Sequence, residues 1–351
     1  MALGPAMTLT AALLLQSHEC KMTDSASAGL RAEFTGDDAE YVRLVNLYRD
    51  GRHEEAVREF HNLNLVVVER LIRRQAPGMS DHCLQAATLL ETELAIDLAE
   101  RSRWEESDPL FDEAWQISFL VEPPVNRLRF QRNWLLAAGL FHHRLIFVNV
   151  AEEAFPRAAR FLRNAVRLYP NDPEMLLAAG SLLEWSGSLR SGDPDHLKEA
   201  EELYARARRI APSDPDILLH HGWVLQRLGR AEEASAPLLQ VLELRAREDV
   251  VYRSRMALAG MAERDGRLTE AIGHYEAATE VIPSWQVAYL ALGHALHASG
   301  SHDRAREVLD RALAIPMKSA DETLGGWWSY ELGIALRFES VLERLRAEVM
   351  R

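Results

Sequence analysis

The sequence predicts an all-α fold of stacked helix pairs, and two observations predict it. Apolar side chains recur at i, i+3, i+4 and i+7 from Tyr41 onward, which is the spacing of one face of an α-helix. The stretch between Pro212 and Pro316 then repeats itself, since Gly266 and Gly300 are 34 residues apart. A period of this length is typical of a helix-turn-helix unit that stacks on its neighbours.

Each unit of the repeat combines a glycine at its turn with an alanine in its second helix. Glycine adopts left-handed geometry at a helix C-terminus without steric penalty, and only small side chains fit where the two helices cross. Proline ends a second helix, because its ring cannot continue one. The matched residues are Gly229 with Ala234, then Gly266, Ala271 and Pro283, then Gly300, Ala305 and Pro316.

This register resembles the tetratricopeptide repeat (TPR) family, most clearly in residues 170–316. The resemblance implies a right-handed superhelical solenoid of about seven antiparallel helix pairs. It also implies that the first helices line a concave groove that binds a peptide or a partner protein, without catalysis. The likeness is weaker toward both ends, and the turn at residues 100–103 lacks the glycine.

Four segments are predicted along the chain. Residues 1–35 are a poorly ordered N-terminus or a signal segment, 36–124 are degenerate TPR-like helical pairs, 125–316 are the TPR solenoid, and 317–351 are C-terminal capping helices. Two local features disturb the repeat. An inserted loop is expected at Ser188–Asp195, and Pro237 lies inside a second helix, where it is either tolerated or kinks the helix.

The composition indicates a folded protein that does not bind nucleic acid. Acidic residues outnumber lysine plus arginine by 53 to 40, which gives a formal net charge of −13. Such a chain is repelled by a phosphate backbone. No apolar run approaches the roughly eighteen residues that a membrane-spanning helix needs, so no transmembrane segment is predicted.

The N-terminus has two of the three parts of a secretory signal. Met7–Leu15 is a short apolar core, and Ala26–Ala28 offers a cleavage pattern, but no lysine or arginine precedes the core. Cytoplasmic localisation is therefore favoured, with export to the periplasm as the alternative if residues 1–28 are a signal peptide. Translation from Met7 or Met22 is a further alternative.

Neither cysteine carries a recognisable function. The chain contains two, Cys20 and Cys83, and has no CxxC motif for a zinc or redox site. Two widely separated cysteines do not make a disulfide framework. Cys83 is expected to behave as a small buried hydrophobe on a helix.

No motif predicts an enzyme, a cofactor or a metal. The nucleophile elbow, the phosphate-binding loop and the dinucleotide fingerprint are all missing. His294 and His297 share a helix face and are able to chelate, but a solvated or ligand-facing surface is the preferred interpretation. A metal-dependent hydrolase remains only a remote alternative, because the His-Glu-x-x-His motif is absent. His221 is expected to be a packed core histidine.

The predicted ligand groove follows from TPR geometry. The residues after the small position of each first helix should face it, and they include tryptophan and arginine, which are enriched where binding energy concentrates. For the two tryptophans, packing between repeats is an alternative of equal weight to ligand contact. If the groove is unused, the protein is instead an architectural or oligomerisation module of an envelope or secretion assembly. The groove residues are Glu184, Trp185, Trp223, Gln226, Arg227, Glu263, Arg264, His294 and His297.

Overall fold

The computed structural model describes residue 20 and residues 36–61, 80–122, 124–148, 153–190, 194–316 and 333–350. All regular secondary structure in these residues is helical. The expected all-α helical-repeat fold is therefore confirmed. The apolar stretch Met7–Leu15 and the cleavage pattern at Ala26–Ala28 lie outside the described residues, so the signal segment stays a prediction.

Seven helix pairs follow one another along the described chain. They are α1 (Gly36–Arg49) with α2 (His53–Phe60), α3 (Asp81–Glu100) with α4 (Trp104–Ser118), α5 (Pro124–Val148) with α6 (Ala154–Leu168), α7 (Pro173–Trp185) with α8 (Pro194–Ile210), α9 (Pro215–Arg227) with α10 (Ala231–Glu243), α11 (Glu248–Arg264) with α12 (Leu268–Val281), and α13 (Gln286–Ala298) with α14 (His302–Ala314). A 3₁₀ turn (Ala335–Arg337) leads into α15 (Phe338–Val349). None of these helices has the length and apolarity needed to cross a membrane.

The chain divides into two compact units. Unit 1 comprises residues 1–134 and 340–351, and unit 2 comprises residues 135–339. Large aromatic side chains fill the core of unit 1, among them Tyr41, Tyr48 and Phe111. Small and branched aliphatic residues from α9, α10 and α11 form one core cluster of unit 2, as expected for repeats that bury their apolar faces on each other.

The turns between paired helices use left-handed backbone geometry. Four turn glycines have φ between 74° and 85°, and Ser102 has the same geometry at φ 59°. Ser102 accordingly occupies the position that the sequence pattern assigns to glycine, at a conformational cost of roughly 1–2 kcal/mol for a residue with a Cβ atom. The glycines are Gly51, Gly229, Gly266 and Gly300.

The close crossing of paired helices explains the small residues. A Cβ atom on Gly222 would lie 2.6 Å from Cγ of Leu238 and 3.3 Å from the carbonyl oxygen of Ala234. A Cβ atom on Gly293 would lie 2.8 Å from Cδ2 of Leu309. Glycine is thus required because a leucine of the second helix lies directly over it.

The structure shows how the chain accommodates two local departures from the repeat pattern. The backbone at Gly187 does not adopt positive φ, because the helix continues there as a π-helical segment, Ser186–Arg190. Helix α10 continues from Ala231 to Glu243 past Pro237, which is buried within it. Pro237 is therefore tolerated as an interior residue of the helix.

The two cysteines form a disulfide, which corrects the expectation that they stay independent. Cys83 is buried on α3, as expected, and its Cα atom lies 5.7 Å from that of Cys20. The backbone N–H of Cys20 donates to Oδ1 of Asn46 at 2.7 Å, and Nδ2 of Asn46 donates to the carbonyl of Cys20 at 2.9 Å. Helix α1 thereby holds Cys20 beside the first turn of α3, an arrangement that separation along the chain does not reveal.

Candidate functional site

The predicted groove residues lie near the C-terminal ends of four successive first helices of unit 2. Helices α7, α9, α11 and α13 carry them, and we call the surface formed by such residues on the first helices of a unit the first-helix face. The repeat register brings these positions together, but their exposure differs sharply. Glu184 is 1% exposed, whereas the side chain of His294 is 74% exposed. The face therefore has a buried part and an exposed part.

Glu184 is the centre of the buried part. Its Oε2 atom accepts a hydrogen bond from the Tyr204 hydroxyl at 2.8 Å and lies 3.0 Å from Nδ1 of His220. Its Oε1 atom lies 3.2 Å from Nη1 of Arg227, which also donates to Oγ of Ser188 at 2.7 Å. Arg227 is thus held by groups of its own chain.

The charge of Glu184 is stabilised despite its burial. Burial by itself raises the pKa of the carboxyl, but the hydrogen bond from His220 and the charge of Arg227 outweigh it and hold the pKa below its ordinary value. A buried carboxylate with three donors is satisfied in the way that buried charges require. The hydrogen bonds of this cluster join the three helices α7, α8 and α9.

His143 on α5 adds an uncharged polar group to the same unit. The ring is fully buried, and neither ring nitrogen has a hydrogen-bond partner among the described residues. Burial and the nearby His220 lower the pKa of His143 to about 3. Its ring centroid lies 5.7 Å from that of Phe147, so His143 is a neutral packing residue at neutral pH.

The two predicted tryptophans are half-buried and contact neighbouring repeats. The ring centroid of Trp185 lies 5.7 Å from Phe147 and 6.1 Å from Phe155. Trp223 packs against the α9–α11 core cluster, and the Arg227 guanidinium lies 5.6 Å from its ring centroid. The structure shows the packing role for both, and ligand contact stays a prediction.

The exposed part belongs to α11 and α13. Oε1 of Glu263 lies 2.6 Å from Nδ1 of His294, and its Oε2 atom accepts a hydrogen bond from Tyr275 at 2.8 Å. Arg264 and His297 are exposed beside them. Gln226 on α9 is half-buried, between the two parts of the face.

An open depression of about 790 Å³ adjoins this exposed part. His294 and His297 line it together with Leu290, which is 49% exposed, and Leu309. Nδ1 of His297 lies 3.1 Å from Nδ1 of His302, across the α13–α14 turn. The depression therefore presents an apolar floor beside acidic, basic and imidazole groups.

The two histidines that were considered as a chelating pair, His294 and His297, have different contact partners. His294 contacts Glu263, while His297 contacts His302. Within the described parts of the chain, no three histidine, cysteine, aspartate or glutamate side chains are arranged to hold a metal ion. His221 is 7% exposed, with Nε2 3.4 Å from Oε1 of Glu201, so the prediction of a packed core histidine is confirmed.

Three residues of the buried part were missed from the sequence: Tyr204, His220 and His143. One signal was available. Tyr204 covers Gly180 in the way that Leu238 covers Gly222 and Leu309 covers Gly293, so this position carries a hydroxyl where those two repeats have a leucine. A polar atom at a buried crossing needs a partner, and that need points to Glu184.

Comparisons with known proteins agree with this fold. A family model described as Tetratricopeptide repeat matches residues 219–284, and a second model with the same description matches residues 287–316. These adjacent matches cover less than a third of the chain. No curated protein matches the sequence.

Several solved structures share part of the fold at low identity. MamA MSR-1 is 20% identical with a TM-score of 0.42, over 55% of this chain and 99% of that chain. MamA from Desulfovibrio magneticus RS-1 is 19% identical with a TM-score of 0.40, over 49% of this chain and 94% of that chain. YrrB, described as a TPR protein with an unusual peptide-binding site, is 23% identical with a TM-score of 0.38, over 57% and 89%. Likeness at this level does not indicate what this chain binds.

Proposed function

We propose that this chain is a protein-interaction scaffold of the tetratricopeptide repeat kind, and that it binds a peptide or a partner protein on the exposed part of its first-helix face. We propose a non-catalytic role, since the Glu184 carboxylate is already bonded to Tyr204, His220 and Arg227. Solenoids of this kind use the continuous surface that their stacked repeats create.

One observation carries the proposal: the change in exposure along the first-helix face. Glu184 is buried and Arg227 is paired with it, whereas Arg264, His294 and His297 are exposed to solvent. A ligand can reach Arg264, Leu290, His294 and His297 without breaking a buried contact. This narrows the predicted groove to its C-terminal portion.

The exposed part has the chemistry of a mixed polar and apolar contact. Leu290 offers an apolar anchor, Arg264 a cation that binds carboxylates, and Glu263 an acceptor. Protein interfaces usually combine an apolar centre with a polar rim. A partner peptide with an apolar residue next to an acidic one fits this arrangement.

The test uses two exposed leucines as a matched pair. Leu290→Asp places a charge in the exposed part, and Leu239→Asp places the same charge on the second helix α10, where Leu239 is 46% exposed. Partners are captured from the native host with wild-type and variant chains, and their affinities are then measured individually. We expect Leu290→Asp to weaken binding at least tenfold and Leu239→Asp to leave it unchanged. Equal affinities for the two variants would contradict the proposal that the partner binds to the exposed part of the first-helix face.

A second candidate function is self-association at the last described repeat. Leu313 is 79% exposed on α14, and Leu290 and Leu309 are exposed near it. Exposed apolar side chains that lie together mark association surfaces. Light scattering of the purified protein decides: an oligomer that Leu313→Asp converts to monomers supports this candidate, and a monomeric wild type opposes it.

A further inference from the structure

Helix α15 contacts residues of unit 1 that lie far from it in the chain. Nε and Nη2 of Arg346 each lie 2.8 Å from a carboxylate oxygen of Glu93 on α3. Nδ2 of Asn133 on α5 donates to Oε1 of Glu348 at 2.9 Å. Glu93 also accepts a hydrogen bond from the hydroxyl of Tyr48 on α1. Helix α15 thus contacts the first helices α3 and α5 directly, and Tyr48 of α1 bonds to the same carboxylate that Arg346 contacts.

Only one side of this part of α15 is buried. The buried side chains are apolar and occur at i, i+1, i+4 and i+8, which is one helical face. Glu343 and Arg344, on the other side, are exposed. Amphipathic helices that dock in a groove on another protein are buried in this one-sided way. The buried residues are Val341, Leu342, Leu345 and Val349.

The specific contacts have the character of ligand recognition. A guanidinium that meets a carboxylate through two parallel contacts gives both energy and orientation. Glu93 is only 9% exposed, so water competes little for this pair. An apolar stripe fixes where the helix lies, and Arg346 fixes its register.

We propose that α15 is an internal ligand of unit 1. It occupies a first-helix face on which a partner helix of the same chemistry would bind, and such a partner competes with α15 for that face. The partner is an amphipathic helix with four aliphatic residues in the spacing of α15 and an arginine directly after the third. This site lies in unit 1 and is separate from the face proposed above for unit 2.

How readily an external helix displaces α15 depends on how strongly α15 contacts unit 1. A segment of the same chain competes at an effective concentration on the order of millimolar. The apparent affinity for an external helix is therefore the intrinsic affinity multiplied by the fraction of chains in which α15 has left the face. A substitution that weakens the contact of α15 with unit 1 should therefore increase the measured affinity of this face for an external helix.

The first experiment measures binding of a fluorescent synthetic peptide, residues 336–351 of this chain, to the full-length protein by anisotropy. Arg346→Glu in the protein puts a carboxylate beside Glu93 and opens the face. Arg344→Glu makes the same change in charge on the exposed side of the same helix and is the matched control. We expect the Arg346→Glu protein to bind the peptide at least tenfold more tightly than the wild type or the control does. A peptide that itself carries Arg346→Glu should not bind.

The second experiment needs no destabilising variant. A protease site is placed within residues 317–332, and the cut protein is incubated with the labelled peptide. Exchange of the peptide into cut but not uncut protein supports the proposal. Failure of the cut segment to exchange, or equal peptide binding by the Arg346→Glu and Arg344→Glu proteins, would show that α15 is a permanent part of the core. Neither result bears on binding at Leu290, so the two proposals fail separately.

Discussion

The hydroxyl of Tyr204 donates a hydrogen bond of 2.8 Å to Oε2 of Glu184, although both side chains are fully buried. Tyr204 comes from the second helix α8 and Glu184 from the first helix α7, so the bond joins the two helices of one pair. His220 and Arg227, from the next pair, reach the same carboxylate. One carboxylate therefore couples two successive repeats.

Tyr204→Phe should lower the free energy of unfolding by about 1–3 kcal/mol. The ring remains over Gly180, but a buried carboxylate loses one of its donors. Urea unfolding measures the effect. Tyr204→Leu introduces the leucine that covers Gly222 and Gly293 in their repeats, and it should cost more because the ring is lost as well. If Tyr204→Phe is as stable as the wild type, the hydroxyl does not support Glu184.

His143→Phe should remove part of the acid sensitivity of the fold. The pKa of His143 is lowered to about 3 in the folded chain, whereas that of an unfolded histidine is about 6.5. A lowered pKa means that the unfolded chain takes up a proton that the folded chain does not. Stability is then complete above about pH 6.5 and is lost as the pH falls toward 3, by about 2 kcal/mol between pH 7 and pH 5.

Unfolding curves at pH 7 and pH 5 check this prediction. Because neither nitrogen of His143 has a partner among the described residues, phenylalanine should leave the stability at pH 7 about the same. The loss on acidification should shrink by about 2 kcal/mol. Phe147→Leu alters the packing around the ring but keeps the histidine, so its pH dependence should match the wild type. An unchanged slope in His143→Phe would contradict the assignment.

Two glycine-to-alanine substitutions should have opposite effects. The added Cβ atom at Gly222 would lie 2.6 Å from Leu238, whereas a Cβ atom at Gly273 on α12 would have no atom within 4 Å beyond its chain neighbours and the backbone of its own helix. Gly222→Ala should therefore destabilise the fold by about 1–3 kcal/mol through overpacking. Gly273→Ala should stabilise it by up to about 1 kcal/mol, since alanine favours the helix. Thermal melts of both variants test the pair, and a shared direction would refute the crossing geometry.

Cys83→Ser should destabilise the oxidised protein by about 2–4 kcal/mol, because the disulfide closes a long loop in the unfolded chain. The sequence separation of its ends is 63 residues. In the presence of a reductant, wild type and variant should unfold at similar denaturant concentrations. Equal stability without reductant would mean that the bond does not form in the protein.

The disulfide also bears on the processing of the N-terminus. Cleavage after Ala28 would place Cys20 on the removed segment, so a mature chain that starts at Gly29 does not keep the bond. We expect mass spectrometry of the native protein, without reduction, to find Cys20 linked to Cys83 in one chain. A native N-terminus at Gly29 would refute this and support export with cleavage.

Most helices could be predicted because their signals are local. Apolar spacing and turn glycines such as Gly229 and Gly266 mark helix pairs without knowledge of distant residues. Ser102 shows the limit of this approach, since a serine adopts the geometry of the missing glycine. The cysteine pairing was missed because it depends on how α1 and α3 pack, and chain separation carries no information about that.

The sequence predicted which helices carry the candidate site residues. It did not predict which of their side chains are buried and which are exposed. The register placed Glu184 and His294 in the C-terminal halves of their first helices, and the structure has them on the helices α7 and α13. Their exposure differs because it depends on which distant side chains approach. Tyr204 and His220 enclose one carboxylate, while no comparable enclosure surrounds His294.

The amino-acid sequence by itself determined that this protein is a series of helix pairs, where each pair turns, and which residues lie on the first helices. These properties follow from side-chain size and periodicity over a few turns of chain. Only the tertiary structure decided that Glu184 is buried in a hydrogen-bonded cluster and that Cys20 is bonded to Cys83. It also decided that Arg346 contacts Glu93, at a sequence separation of 253 residues. Contacts of that kind depend on the relative placement of whole helices, which the summed packing of the fold sets and no local pattern encodes.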